Sequence, residues 1–257
     1  NAPRRWLSVA VLDGGCLVVG AGALVLGGGI GFNMRLHGLT CDALVETEMV
    51  TADGRLLTCN AQNNRDLFWA CRGAGGGNFG IHTSFTFQTY PVGQLTVYLL
   101  KWSSNHRQVL GALSQLLPNT PRELGCKVSL VASPNGTLEV QLLGQLVGSP
   151  TQLNSLLAPV LNLFAPTSSQ VETRSYWDGQ EFLSEEGDPQ FSHERSHYAF
   201  GPLSDAALDT VMDFMLRWPG TSGSVDWKYF LLGGAVADVA PADTAYVHRQ
   251  AALISSI

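Results

Sequence analysis

Two glycine-rich runs, with a thiol near the start of the first, contain the residue types in this sequence that suit ligand chemistry. Residues 15–31 read GCLVVGAGALVLGGGIG and residues 72–80 read RGAGGGNFG. Glycine has no side chain and adopts positive φ at little cost, so it lets main-chain N–H groups lie close to a flat or phosphorylated ligand. The two runs therefore predict backbone that binds such a ligand. Tight turns that only reverse the chain are the alternative.

The composition excludes several classes of function. The formal net charge is −6 and the sequence pI is about 5.4, whereas a nucleic-acid partner needs clustered Lys and Arg. No apolar run reaches the length that spans a membrane. Five cysteines without C-x-x-C spacing describe neither a disulfide framework nor a zinc site. We expect no nucleic acid, no membrane and no metal among the partners of this chain.

The elements around the two runs are short strands and a helix. Residues 44–60 alternate around an Asp-Gly pair, which is a strong signal for a two-residue hairpin. Residues 64–71 predict a short helix, with an asparagine at its start and a glycine beyond its end. Residues 81–90 alternate again and predict a further strand.

From about residue 93 the glycine runs stop and longer elements begin. The predicted elements are a strand at 95–102, a helix at 105–117, a hairpin at 126–147, a helix at 151–164 on either side of Pro159, a helix from Asp205 to Trp218 capped by Ser204, and a strand at 226–239. Strands with helices on one face indicate an α+β layer. We therefore predict an α+β fold with two domains, residues 1–93 and residues 94–257. The second domain is expected to be an antiparallel sheet with helices on one face.

Six short motifs occur in an order and spacing that resemble a known family. They are GCLVVG at 15–20, LGGGIG at 26–31, GLTCD at 38–42, VTADGR at 50–55, DLFWA at 66–70 and GGGNFG at 75–80. Together they resemble the FAD-linked oxidases of the berberine-bridge-enzyme type, within the vanillyl-alcohol-oxidase superfamily with its PCMH-type FAD-binding fold. Residues 233–236 and 244–249 are similar to the substrate domain of that family.

The resemblance implies that residues 1–93 are part of an FAD-binding domain and that residues 94–257 are a substrate-binding domain. It assigns FAD contacts to Cys16, Val19, Gly20, Gly22, Gly28, Gly31, Asp42, Gly76, Gly77, Asn78, Phe79, Gly80 and Ile81. It also implies a thioether between Cys16 and flavin C6, as in family members with a doubly bonded flavin. The alternative for Cys16 is a small buried thiol behind the loop, which we also expect for Cys41, Cys59, Cys71 and Cys126.

The chain departs from the family at both ends. The family begins with a loop that holds the FAD pyrophosphate and supplies a flavin-bonding histidine, and it ends with a segment rich in Tyr and Asn that returns to the flavin. Neither is matched here, so we expect both domains to be incomplete and FAD binding to need further segments of the same protein. Leu17 also stands where the family usually has proline, and Ala23 where it usually has glycine.

The second predicted domain contains candidate substrate residues and a candidate base. Trp227 and Tyr229 share one face of a predicted strand, with Lys228 on the other. That aromatic face is predicted to line a substrate pocket together with Tyr246, or else to be core. Further candidates are Tyr176, Trp177, Arg195, Tyr198 and His248, and for His248 a structural role is favoured.

Asp238 lies five residues after Gly233, at an offset where the resemblance places a glutamate base in plant-like members of the family. A carboxylate there could take a proton from a hydroxyl or amine. A solvated surface aspartate is the alternative.

The function that the resemblance implies is an FAD-dependent oxidase. Hydride from a substrate C–H next to a hydroxyl or amine would pass to flavin N5, and O2 would be reduced to H2O2. The expected partners are O2 and a small-molecule substrate, either a sugar or oligosaccharide or a secondary metabolite. A non-catalytic remnant or fragment of such an oxidase, unable to hold FAD alone, is the alternative.

Overall fold

The structure is a computed structural model that describes residues 9–10, 19–184, 193–218 and 223–257. Contacts between residues divide the chain into two compact units. The first unit contains the described residues up to Gly93, Ser184 and Gly234–Gln250. The second contains the other described residues between Gln94 and Gly233, together with Ala251–Ile257. Residues 234–250, which the sequence analysis assigned to the second domain, thus pack with the first unit.

The first unit is built on a three-stranded antiparallel sheet in the order β3-β2-β4. Its strands are β2 (Leu44–Val50), β3 (Leu56–Asn60) and β4 (Ile81–Phe87). The predicted hairpin is confirmed, since β2 and β3 pair on either side of Gly54, whose φ of 81° suits glycine. A short ladder between β1 (Val9–Ala10) and β5 (Tyr90–Pro91) completes the strands of this unit.

Short helices cover the core of the first unit. They are α1 (Ala21–Leu26), α2 (Met34–His37), α3 (Arg65–Ala70) and α8 (Ala235–Asp238), with a 3₁₀ turn at Thr40–Ala43. Helix α3 confirms the predicted helix, although the Asn64 side chain does not cap it and instead donates to the Thr58 carbonyl. Helix α1 was not predicted, because glycines on both sides hide its Ala-Leu-Val-Leu stretch. Its Val25 and Leu26 are buried against Met49 and other core residues.

The second unit contains a seven-stranded antiparallel sheet in the order β10-β12-β11-β7-β8-β6-β9. Its strands are β6 (Gln94–Trp102), β7 (Leu124–Ala132), β8 (Leu138–Leu146), β9 (Ser168–Ser175), β10 (Ser196–Ala199), β11 (Val225–Leu231) and β12 (Leu253–Ser256). The predicted hairpin at 126–147 is the β7–β8 pair. Strands β9, β10 and β12 were not predicted, because they are short or polar.

Three helices cover one face of this sheet. They are α4 (His106–Leu116), α5 (Pro150–Leu161) and α7 (Asp205–Leu216), and all three contribute to the core of the unit. Helix α5 runs through Pro159 as one helix. A fourth helix, α6 (Tyr176–Leu183), was not predicted and lies on the opposite face, where Gly179 fits closely against Leu95 and Val97. In the described part of the chain, no helix has the length and apolar character needed to cross a membrane.

The predicted strand at 226–239 is wrong beyond Leu231. Gly233 and Gly234 follow with φ of 81° and 58°, which end the extended conformation. The chain then forms the short helix α8 in the first unit, so Asp238 ends a helix and not a strand.

Candidate functional site

The two glycine-rich runs lie side by side in the first unit. The Gly75 N–H donates to the Leu26 carbonyl at 2.7 Å, and a Cβ on Gly76 would lie 3.8 Å from the Leu26 side chain. At the far end of the second run, a Cβ on Gly80 would lie 2.5 Å from the Val50 carbonyl oxygen. The sequence does not show these contacts directly, because two short helices, a 3₁₀ turn and two strands separate the runs along the chain.

The end of the first run is buried and closely packed. Gly28 and Gly29 have φ of 117° and 84°, a region that side chains rarely adopt. A Cβ on Gly28 would lie 3.0 Å from the Tyr246 ring, and one on Gly29 would overlap Thr40. Glycine is needed at these two positions for packing within the protein. Gly28 therefore fits the alternative prediction, in which these glycines serve a tight turn. Gly31 is also buried.

The second run is open to solvent and has the character of a ligand-binding loop. Gly76, Gly77 and Asn78 are exposed, and the Asn78 side chain donates back to the Ala74 carbonyl at 2.9 Å, which stabilises the turn. Phe79 and Ile81 are 41% and 76% exposed. Exposed main-chain N–H groups flanked by exposed apolar side chains suit a flat, partly polar ligand.

Val19 and Gly20 are also exposed, where the first run leads into α1, and the half-buried Gly22 lies against Phe85. Cys16 lies outside the described residues.

Asp42 is engaged by the protein itself. Its two carboxylate oxygens accept hydrogen bonds of 2.7 Å from Nη1 and Nη2 of Arg249, and the Leu39 N–H donates to it at 2.8 Å. The Arg249 side chain is fully buried. The resemblance predicts an FAD contact for Asp42, whereas its carboxylate pairs with Arg249, which was not among the predicted site residues. The signal was present in the Tyr-x-His-Arg cluster at 246–249.

Tyr246 belongs to the first unit, although it was expected beside the substrate in the second. Its ring packs on Gly28 and its backbone N–H donates to the Arg72 carbonyl at 3.2 Å. Only 6% of its surface is exposed. His248 is half-buried, with its ring edge against Tyr246.

Comparison with known proteins finds a domain match and several similar proteins. Residues 4–60 match the family of the FAD binding domain. The FAD-linked oxidoreductase YgaK of Bacillus subtilis (strain 168), itself named as uncharacterized, is 38% identical over 240 residues, which are 91% of this chain and 52% of that protein. Among solved structures, BBE-like 1 of Physcomitrella patens is similar with a TM-score of 0.84 and 28% identity, covering 97% of this chain and 56% of that one.

Over about half of their length, this chain is similar to FAD-linked oxidoreductases and to a solved structure of the berberine-bridge-enzyme-like type. A solved glucooligosaccharide oxidase from Acremonium strictum, described with a 6-S-cysteinyl, 8α-N1-histidyl FAD, is similar with a TM-score of 0.82 and 26% identity over 97% of this chain and 55% of that one. The chain thus spans about half the length of the relatives that it matches.

The second unit buries two of the predicted substrate residues. Trp227 and Tyr229 lie in its hydrophobic core, 6% and 1% exposed, with their rings edge to face. Burial raises the pKa of the Tyr229 hydroxyl. The aromatic face of β11 is therefore core, which is the second of the two alternatives that the sequence left open.

The opposite face of the same strands contains charged residues that the sequence analysis largely missed. Lys127 is buried, and its burial lowers its pKa to about 8. Asp226 is half-buried and its pKa is raised by burial, against the effect of Lys228 and Lys127 nearby. Of these charged residues, only Lys228 was placed by the sequence prediction. It lies, as predicted, on the face opposite Trp227 and Tyr229.

The remaining candidates are scattered over the described residues. Tyr176 is buried with its ring edge against Trp177, Arg195 is exposed and Tyr198 is half-buried on β10. Asp238 is exposed at the end of α8. The structure does not bring Asp238 together with Trp227 and Tyr229 in one unit.

The four described cysteines are buried free thiols, as predicted. Burial, reinforced by the neighbouring Asp42 charge, raises the pKa of Cys41 to about 12, and burial raises that of Cys71 to about 11. Such thiols stay protonated and unreactive at neutral pH.

Proposed function

We propose that this chain is part of an FAD-dependent oxidase in which the exposed second glycine run and the start of α1 hold the flavin. The observation that carries the proposal is the Gly75 to Leu26 hydrogen bond, which joins two glycine runs while Gly76 and Gly77 stay open. The match to the FAD binding domain and the similarity to FAD-linked oxidoreductases support the choice of FAD as the ligand.

The described residues fit such a cofactor. A Cβ on Gly77 would meet no described atom within 4 Å, so there is open space beside this position of the loop. Main-chain N–H groups at Gly76 and Gly77 would bind polar atoms of FAD, and Val19, Phe79 and Ile81 would cover its apolar surface. The Asp42 carboxylate is not among these contacts, because it is paired with the Arg249 guanidinium.

Bound FAD would supply the hydride acceptor for a substrate C–H next to a hydroxyl or amine, with O2 as the final acceptor and H2O2 as the product. The chain would hold the cofactor and shield it from water on one side. We propose Asp238 as the base that takes the heteroatom proton, since it is the carboxylate at the family offset and is open to solvent.

The proposed substrates are sugars or oligosaccharides, with a secondary metabolite as the other class. The similarity to a glucooligosaccharide oxidase supports the carbohydrate class.

The test uses the natural protein that contains residues 1–257. Purified protein should show flavin absorbance, and addition of oligosaccharides in air should produce H2O2 in step with O2 consumption. The mass of the intact chain reports any attached flavin. A colourless protein that gains no flavin absorbance with added FAD would overturn the proposal and favour a non-catalytic remnant.

A further inference from the structure

Residues 242–249, which we name the strap, are tied to both glycine runs of the first unit. We propose that the strap sets the position of one run against the other, with Tyr246 and Arg249 as positioning residues for the cofactor site. The inference rests on the proposed function, because it takes these runs as the flavin-binding loops.

Tyr246 touches both runs at once. Its ring lies against Gly28 of the first run, where a Cβ would come within 3.0 Å of the ring. Its backbone lies against Gly73 of the second run, where a Cβ would lie 2.5 Å from the Tyr246 nitrogen. A side chain larger than hydrogen at either glycine would push the strap away. The glycines therefore allow the close approach that places one residue between the runs.

Arg249 fixes the strap to the first run. Its guanidinium binds both oxygens of Asp42, and Nη2 also donates to the Thr244 hydroxyl at 2.6 Å. Asp42 lies in the 3₁₀ turn whose Thr40 and Cys41 N–H groups donate to the carbonyls of Gly29 and Gly28, at 3.1 and 2.9 Å. A two-pronged Arg–carboxylate pair fixes orientation as well as distance. The position of the first run is thus linked to the strap through Asp42.

The other end of the strap is fixed to α3 and the start of the second run. The Trp69 indole N–H donates to the Ala242 carbonyl at 2.8 Å, and Arg72 Nη2 donates to the Asp243 carbonyl at 2.9 Å. The Ala245 N–H donates to the Trp69 carbonyl at 3.3 Å. The strap therefore holds both runs through separate sets of contacts, and loosening either set should change how the runs meet a ligand.

The experiment compares variants of the natural protein by flavin content per chain, by the visible circular dichroism of the bound flavin and by melting temperature. Arg249→Lys keeps the charge and loses the planar fork. Tyr246→Leu loses the ring, whereas Tyr246→Phe keeps it on Gly28. Arg55→Lys is the matched control, because Arg55 pairs with Asp53 at an exposed site in the same unit.

We expect Arg249→Lys and Tyr246→Leu to fold but to lower the flavin content or the rate of flavin reduction by about tenfold to a hundred-fold, since a shift of about 1 Å in a supporting group has effects of this size. Their visible circular dichroism should change. Tyr246→Phe, which keeps the ring, should lose much less than Tyr246→Leu, and Arg55→Lys should resemble the wild type in every measurement. If Arg249→Lys fails to fold, the comparison of Tyr246→Phe with Tyr246→Leu tests the inference alone.

Two results would overturn the inference. One is a folded Tyr246→Leu with a lower melting temperature but wild-type flavin content and visible circular dichroism, which describes a purely structural contact. The other is an equal loss in Tyr246→Phe and Tyr246→Leu, which would exclude the ring packing on Gly28 as the cause. A wild-type protein without flavin would instead overturn the proposed function and the inference with it.

Discussion

Cys16, which lies outside the described residues, is the side chain to which the resemblance assigns a covalent bond with the flavin. Each of the four described cysteines is buried and lies in or beside a helix or strand. A reactive thiol needs access and a favoured thiolate, which burial prevents.

We predict that acid-denatured protein retains flavin through a bond between the Cys16 sulfur and flavin C6. Cys16→Ala should alter the flavin spectrum and lower the rate of substrate oxidation, because the sulfur substituent changes the flavin potential. Mass measurement of the peptide that spans Cys16 checks the bond. Cys126→Ala, in the core of the second unit, serves as the control. An unmodified Cys16 peptide from flavin-replete protein would refute the thioether.

Asp238 provides the second residue-level prediction. If it is the base, Asp238→Asn should slow anaerobic flavin reduction by at least about a hundred-fold, which is the lower range for general base catalysis. Flavin content and reoxidation by O2 should not change, because neither step uses the substrate proton. Stopped-flow absorbance measures both half-reactions, with Asp53→Asn on the exposed hairpin as the control. Reduction within a few-fold of the wild-type rate would assign the base elsewhere.

Single residues show where sequence reasoning reached its limit. Alternation along β11 placed Lys228 on the face opposite Trp227 and Tyr229, and this prediction is confirmed. Which face is core could not be decided, because that depends on the helices α4, α5 and α7 from distant parts of the chain. The Tyr-x-His-Arg cluster at 246–249 marks Arg249 but does not indicate its partner Asp42, which is 207 residues away in the sequence.

At the scale of secondary structure, the face of β7 and β11 opposite the hydrophobic core affects the stability of the fold, because it buries the charge of Lys127. Lys127 is 7% exposed and its pKa falls from 10.5 to about 8. Below pH 8 the folded and unfolded chains both carry this charge, so the folded state bears the whole desolvation cost. Between pH 8 and 10.5 the folded chain loses the proton first, so this cost disappears as the pH rises.

We predict that Lys127→Met raises the free energy of unfolding at pH 7, by at most about 3 kcal/mol. The difference from the wild type should shrink as the pH rises from 8 to 10.5. Asp226 keeps Lys228 as a neighbouring cation in the variant. Urea unfolding at several pH values measures the effect. Lys101→Met, which removes a more exposed lysine paired with Glu139, is the control. A Lys127→Met that is less stable than the wild type at pH 7 would contradict the argument.

Elements with a clear local signal were predictable and those without one were not. The Asp-Gly hairpin, the Ser204 cap of α7 and the apolar stripe of α4 all appear close to their predicted positions. Strand β9 was missed because its sequence, SSQVETRS, is almost entirely polar and its stability comes from pairing with β6. The end of β11 was missed because nothing local distinguishes Gly233-Gly234 from a bulge within a longer strand.

For the whole molecule, the division of the chain into units is the feature that sequence reasoning describes least well. The change in composition near residue 93 agrees with the point where the second unit begins. The return of residues 234–250 to the first unit depends on contacts such as Trp69 with Ala242, which no local pattern indicates. A chain that returns to its first unit and then leaves it again cannot be divided by composition alone.

Our last prediction concerns how much polypeptide the flavin needs. The chain spans about half the length of its relatives, and the resemblance implies that a pyrophosphate loop and a flavin-bonding histidine lie outside the matched residues. The described residues offer the exposed loop at 76–78 and the exposed Val19 and Gly20 before α1, whereas Tyr246 and Thr40 fill the space at Gly28 and Gly29. These two short segments make few contacts with a molecule the size of FAD, so residues 1–257 produced alone should hold far less than one FAD per chain after gel filtration. Absorbance of the eluted protein measures this, and the natural protein treated in the same way is the control. Stoichiometric, tightly held FAD on residues 1–257 alone would show that these residues suffice, and the binding site would then have to include the residues before Val19.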